Sequence, residues 1–240
     1  RDSFNQYGIK GTFNVNSGLE GDPVRIPQAE YRELYKGHEV ACHTVSHPTI
    51  GRCPLELVAQ EVIEDRKKLE SIMGYPVRGL AYPNGSESPE IRAMLPALGI
   101  RYGRVVGNTD GFAMPEDFLQ WKATCHHNHN LLELGQQFVD LHKKQYLYMM
   151  YVWGHSYEFT NNNNWEVMED FCKLVGGKDD IWYATNIQIV DYMDVVKVAQ
   201  YAADGSFVYN PCAQSLWLCV DDEKFVEVKG GQQVLSLIHI

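Results

Sequence analysis

Gly37-His38-Glu39-Val40-Ala41-Cys42-His43-Thr44-Val45-Ser46-His47-Pro48 is the stretch on which the reading of this chain turns. Residues 38–42 follow a glycine and read as a short buried strand. His43 and His47 come directly after it, with small or hydroxyl-bearing residues between them and Pro48 behind. If the segment turns helically, residues four apart share a face, and both imidazoles can meet one cation. Imidazole suits zinc and other late first-row divalent ions. HxxxH by itself is a weak signal, and an arbitrary pair is more often structural. What favours this pair is its place at the C-terminal end of a strand in a βα chain, where ligand sites of such folds gather.

Working outward, Phe4 to Gly8 reads as the last turn of a helix with a C′ glycine, Thr12 to Val15 as a strand, and Gln28 to Lys36 as a helix stopped by Gly37. Pro54 opens a long helix whose Leu55, Val58, Val62, Leu69 and Ile72 keep helical spacing until Gly74 and Pro76 end it. Val77 to Tyr82 is a strand. Ser88 and Pro89 then cap and start a helix to Gly99 that Pro96 should kink. Tyr102 to Val106 is the next strand, and residues 107–130 read as irregular. The spacing predicts helices over Leu131 to Lys144, Trp165 to Val175 and Ile187 to Ala202, with strands at Tyr146 to Trp153 and Ile181 to Ala184. Strands alternating with helices imply parallel pairing through βαβ crossovers, hence an α/β fold, either barrel or doubly wound sheet. Phe207 to Tyr209, Leu216 to Val220 and Phe225 to Val228, separated by turn residues, suggest a small antiparallel appendage. The expected organisation is a main domain over 1–203, a β-rich extension over 204–235, and a tail, 236–240, that reads either as a translated adapter, hence non-native, or as an ordinary terminal strand.

At 240 residues one core-bearing domain is the default. A net charge of −10 argues against a nucleic-acid or anionic-membrane surface. The longest apolar run, Tyr146 to Trp153, is far short of the roughly 20 residues that span a bilayer. Cys42, Cys53, Cys125, Cys172, Cys212 and Cys219 form no CxxC pair, so neither a thiolate zinc site nor a disulfide framework is signalled. The chain begins at Arg1 inside what reads as a helix, so its native start is expected to be missing. The compartment stays open between the cytoplasm and the exterior or envelope of a bacterium.

Other residues fit chemistry at strand ends. His155, after Trp153-Gly154, is a candidate general acid with a pKa near working pH, against the plainer reading of a satisfied core histidine. Leu80-Ala81-Tyr82-Pro83-Asn84-Gly85 ends a strand in a turn whose amides can face an oxyanion, as any tight turn can. Cys125-His126-His127-Asn128 is a polar cluster, and Trp121 nearby is suited to stacking on a sugar. Asn161 to Asn164 reads as a solvated helix cap.

Gly8-Ile9-Lys10-Gly11-Thr12-Phe13-Asn14-Val15, the histidine segment, Ala81-Tyr82-Pro83-Asn84-Gly85 and the strand ending in His155 together resemble successive motifs of the polysaccharide deacetylase family (NodB homology, carbohydrate esterase family 4). The resemblance covers roughly the first four-fifths of the chain. It implies a distorted (β/α) barrel without its first strand, a divalent metal, zinc in the first instance, and hydrolysis of acetyl groups from amino sugars or polysaccharides. Carried onto this chain, it gives His43 and His47 as metal ligands, His155 as the acid that protonates the leaving group, and the turn at Asn84 as oxyanion support. Tyr82, Trp121, His126 and Trp153 are weaker candidates for substrate contact. The aspartate pair that provides the general base and the third ligand would lie upstream of residue 1. The arginine that often opens the third motif is replaced by Ala81-Tyr82, with Arg78 a candidate substitute. An acetylated carbohydrate is the expected partner, with no nucleic acid and no membrane span. The competing class is a non-catalytic carbohydrate-binding pseudo-enzyme, with Trp121, Trp153 and Trp165 as a stacking groove. A metallopeptidase ranks low because HExxH is absent.

Overall fold

The computed structural model describes residues 1–21, 25–143, 145–220 and 224–235. The expected tail at 236–240 and the turn at Asp221-Asp222 lie outside them. The chain forms two compact units, one of Arg1–Leu141 with Tyr148–Ile187, the other of His142–Leu147 with the residues from Gln188 on.

In the first unit, α1 (Asp2–Gln6) leads through Gly8, at φ 69°, into β1 (Thr12–Val15). The expected helix over 28–36 is a 3-10 turn followed by one helical turn, α2 (Tyr31–Leu34), before β2 (Glu39–Cys42). Next come α3 (Leu55–Met73), β3 (Gly79–Ala81), α4 (Pro89–Met94), β4 (Tyr102–Asn108), β5 (Trp121–Ala123) and β6 (Cys125–His126). They are followed by α5 (Leu131–Val139), β7 (Val152–Trp153), α6 (Ser156–Asn162) and α7 (Trp165–Val175). Strands β1 to β5 form one parallel sheet in chain order, and β6 pairs with β7, also parallel. This is the α/β arrangement of βαβ crossovers, and it sets the C-terminal ends of the strands along one edge.

Helix α3 shows why the sheet is covered. Val58, Val62 and Leu69 are fully buried with Val40, Cys42 and Leu80, and each such side chain contributes about 1.5–3 kcal/mol. Gly74, at φ 79°, ends the helix in a left-handed cap. Ser88 accepts from Ile91 N and caps α4, and the chain tightens into a 3-10 turn at Leu95–Leu98, as Pro96 requires. Strands β3 and β4 interlock through two glycines. The Tyr102 ring lies over Gly79, and the Tyr82 ring over Gly103. Glu39 is a buried hub, accepting from Tyr102 Oη (2.8 Å), Thr12 Oγ1 (2.9 Å) and Ile187 N (3.0 Å), and burial raises its pKa.

Further expectations differ, among them the helix expected to Lys144, which as α5 ends at Val139. Residues 107–130 are not wholly irregular, because β5 and β6 lie within them. Tyr146 to Trp153 is a strand only at its end: Tyr148 makes a single antiparallel bridge to Ala113, and Met149 N bonds Phe112 O (2.7 Å). The apolarity of Met149 and Met150 serves side-chain packing instead of a ladder. Residues 181–184 form no strand, since the Tyr183 hydroxyl instead closes the end of α7, donating to Val175 O (2.6 Å) and accepting from Lys178 N (2.8 Å).

Helix α8 (Asn186–Val198) ends four residues before Ala202, and its first turn is tied to Thr12 Oγ1 through Asn186 N (3.0 Å). The second unit contains β8 (Gln200–Tyr201), β9 (Phe207–Tyr209), β10 (Leu216–Val220), β11 (Lys224–Val228) and β12 (Gln233–Leu235). All its pairings are antiparallel, and Val195, Leu216 and Val228 form its core. Among the described residues no helix is long and apolar enough to cross a membrane.

Candidate metal and catalytic site

His43 and His47 converge, with ring centroids 4.7 Å apart and planes at 80°. They do so without a helical turn. Thr44 and His47 both adopt left-handed backbone, at φ 65° and 60°. A β-branched residue in that region is uncommon and strained by about 1–3 kcal/mol, so the surroundings must enforce it. Thr44 is wholly buried, and its hydroxyl accepts from His47 N (3.1 Å). Asn16 Nδ2 donates to the carbonyls of His43 and Thr44. Beneath the segment, the buried Asp65 carboxylate accepts from Ser17 N (2.8 Å) and His43 N (3.0 Å). Asp65 sits on the core face of α3 with Val58, Val62 and Leu69, and a carboxylate in that apolar series was the available sequence signal for it.

The His43 ring donates from Nδ1 to Ala81 O (2.7 Å), which orients it and leaves Nε2 for a ligand. Burial pushes its pKa down to about 4, with His47, Arg104 and His155 adding to this against the Ala81 carbonyl. It is therefore neutral near pH 7 and suited to a cation. Among the described residues no third His, Cys, Asp or Glu completes a group with these two. The donor set fits two of the three ligands that a site of this type requires.

The turn after β3 is bonded to the same segment. Asn84, exposed at φ 56°, donates from Nδ2 to Thr49 Oγ1 (3.0 Å), and Gly51 N donates to Ser86 Oγ (2.8 Å). Arg78 stands at the opposite, N-terminal end of β3 and does not substitute for the missing arginine of the third motif. Arg104, whose Cα is paired with that of Ala81, is buried with its guanidinium 4.7 Å from the Trp153 ring centroid.

Two expected contact residues belong to the core. Tyr82 is fully buried, its ring over Gly103 and its hydroxyl on Leu119 O (2.6 Å). Trp121 is fully buried against Tyr102, Phe118 and Tyr151, because on β5 it alternates with the exposed Lys122. Neither can stack on a sugar. Trp153 and His126 are half-buried and meet edge to face at 4.6 Å.

His155 follows β7 and opens α6. Its Nδ1 lies 3.4 Å from Glu158 Oε1, a carboxylate the sequence reading passed over, although a Glu three residues into a helix is a capping signal. Glu158 Oε2 accepts from His155 N (3.3 Å) and lies 3.2 Å from His126 Nε2 and 3.1 Å from His127 Nε2. His127 is buried, stacked on Phe159 at 4.1 Å, and burial pushes its pKa down to about 4.

The family model described as polysaccharide deacetylase matches residues 2–103, which carry β1, β2, β3 and the histidine pair. Over that segment, somewhat less than half of its length, the chain is similar to the polysaccharide deacetylase family. No curated protein sequence matches it. A candidate polysaccharide deacetylase from Mycobacterium smegmatis superposes at a TM-score of 0.60 with 15% identity, over 82% of this chain and 76% of that one. A CE4 family pseudoenzyme from Bacillus anthracis gives 0.51 with 13% identity, over 79% and 58%. A Streptococcus pyogenes deacetylase, crystallised with acetate, gives 0.46 with 20% identity, over 50% and 54%. The first two likenesses concern the fold. The chain spans about half the length of the streptococcal deacetylase. Within the matched segment, the pair at the end of β2 and the turn after β3 are the parts that bear on chemistry.

Proposed function

We propose that this chain serves metal-dependent deacetylation of an acetylated polysaccharide or amino sugar. The observation that carries this is the His43–His47 pair at the C-terminal end of β2, with His43 Nδ1 committed to Ala81 O and Nε2 left open. His43 and His47 would hold a divalent ion, zinc being the natural choice for this donor set, together with a carboxylate from outside these residues. When bound, the ion supplies Lewis acidity at the acetyl carbonyl and a more acidic water. The rest falls to side chains of the chain. His155, oriented by Glu158, protonates the departing amine or alcohol. The turn at Asn84, tethered through Thr49, faces the developing oxyanion with its backbone. Buried Arg104 holds positive charge beside His43, where an acidic base is stabilised in its ionised form.

That no third ligand joins the pair among the described residues favours a second reading, a carbohydrate binder without catalysis. Burial of Trp121 counts against it, since that removes one wall of the expected stacking groove. Acetate release by the native gene product on a panel of N- and O-acetylated glycans separates the two. The deacetylase reading expects release from at least one glycan, with kcat in His155→Ala reduced about 10²- to 10⁴-fold. Glycan binding without acetate release from any of them would establish the binder.

A further inference from the structure

The cluster around Glu158 is a second group of metal-ligating side chains, sharing no residue with the His43–His47 pair. His126, His155 and Glu158 each offer a donor atom, and the three atoms lie within 4.8 Å of one another. The nearest approaches are 3.2 Å from Glu158 Oε2 to His126 Nε2 and 3.4 Å from Oε1 to His155 Nδ1. Donors at about 2.0–2.1 Å from a tetrahedral ion stand roughly 3.3–3.4 Å apart, so the three donors, within 4.8 Å of one another, must draw together to hold zinc or cobalt. Two further facts point to a cation. His127 Nε2 and His155 Nδ1 are buried without a hydrogen bond, although each faces a Glu158 oxygen at 3.1 and 3.4 Å. A buried imidazole nitrogen opposite a carboxylate oxygen, with no hydrogen bond between them, is the arrangement a shared cation relieves.

We propose that His126, His155 and Glu158 bind a late first-row divalent ion, with His127 packed behind Glu158 as its support; the ion occupies His155 Nδ1 and Glu158, so its binding excludes the acid role given to His155 above and inhibits that reaction. The neighbourhood fixes the donors. Gly154, at φ 156°, leaves room for the His127 ring, since a Cβ there would stand 1.8 Å from Nδ1. Phe159 stacks on the other side of that ring. His126 Nδ1 accepts from Asn128 N (3.2 Å). Coordination through Nε2 places the ring proton on Nδ1 and releases that exposed amide to water.

The test uses Co(II) and Zn(II) alone, titrated into the whole chain, with calorimetry and the cobalt d–d spectrum as readouts. Neither depends on deacetylation, so the outcome is separate from that of the proposed activity. Wild-type chain and His43→Ala are expected to give the same cobalt spectrum. Glu158→Gln and His126→Asn are expected to lose it and to bind zinc at least about tenfold more weakly. All three ligands are partly exposed, and His126 lies outside the cap that Glu158 makes on α6, so its variant remains informative if Glu158→Gln fails to fold, and circular dichroism checks both. A cobalt spectrum abolished by His43→Ala, one intact in His126→Asn, or no binding by the wild-type chain would overturn the proposal.

Discussion

Asp65→Ala is expected to cost about 2–3 kcal/mol of folding stability, because the buried Ser17 amide loses its acceptor while His43 N keeps only its bond to Val15 O. The carboxylate is fully buried on the core face of α3 and reaches across to Ser17 N and His43 N. Alanine leaves the Ser17 amide buried without this partner and removes the floor beneath two left-handed residues, Thr44 and His47. The fold and the site therefore fail together. A urea midpoint for Asp65→Ala, taken with unchanged m-value, measures the loss. A cost below about 1 kcal/mol would mean that Asp65 is replaceable by water and does not hold the segment.

Gly79→Ala should be comparably damaging, at about 3 kcal/mol, for a steric reason. A Cβ at Gly79 would lie 2.0 Å from Tyr102 Cζ and 2.1 Å from its hydroxyl, and Tyr102 is wholly buried. The ring cannot retreat without breaking its 2.8 Å hydrogen bond to Glu39, the hub that also binds Thr12 and Ile187. Truncating the ring as well provides the control: in Gly79→Ala/Tyr102→Ala, the cost of the glycine change should largely disappear, a coupling that a double-mutant cycle reads directly. Additive losses would contradict the steric account.

Strong local rules made much of the fold legible. The spacing along α3, the cap at Ser88, the kink at Pro96 and the glycine stops at Gly8 and Gly74 each depend on residues within a few positions, and the structure shows all of them. The parallel order of β1 to β4 followed from the alternation of strands and helices. What escaped was decided by distant partners. Tyr82 and Trp121 look like groove residues in sequence, but the ring of one is received by Gly103 and the other by Phe118 and Tyr151. His43 and His47 meet as expected, yet through left-handed backbone that Asn16, Asp65 and the Thr44 hydroxyl impose, not through a helical turn. Residues 149–151 are as apolar as a strand and are used for packing. Glu158 escaped because its partners, His126 and His127, lie some thirty positions away in the sequence.

The histidine pair remains the centre of the functional account, and chelation tests it most directly. The native gene product, stripped with a chelator and assayed for acetate release on the best glycan of the panel, should fall to background and recover on addition of zinc. His43→Ala should show no release before or after zinc is returned. Undiminished release after chelation, or release by His43→Ala equal to wild type, would contradict the assignment of His43 and His47 as ligands of a catalytic metal.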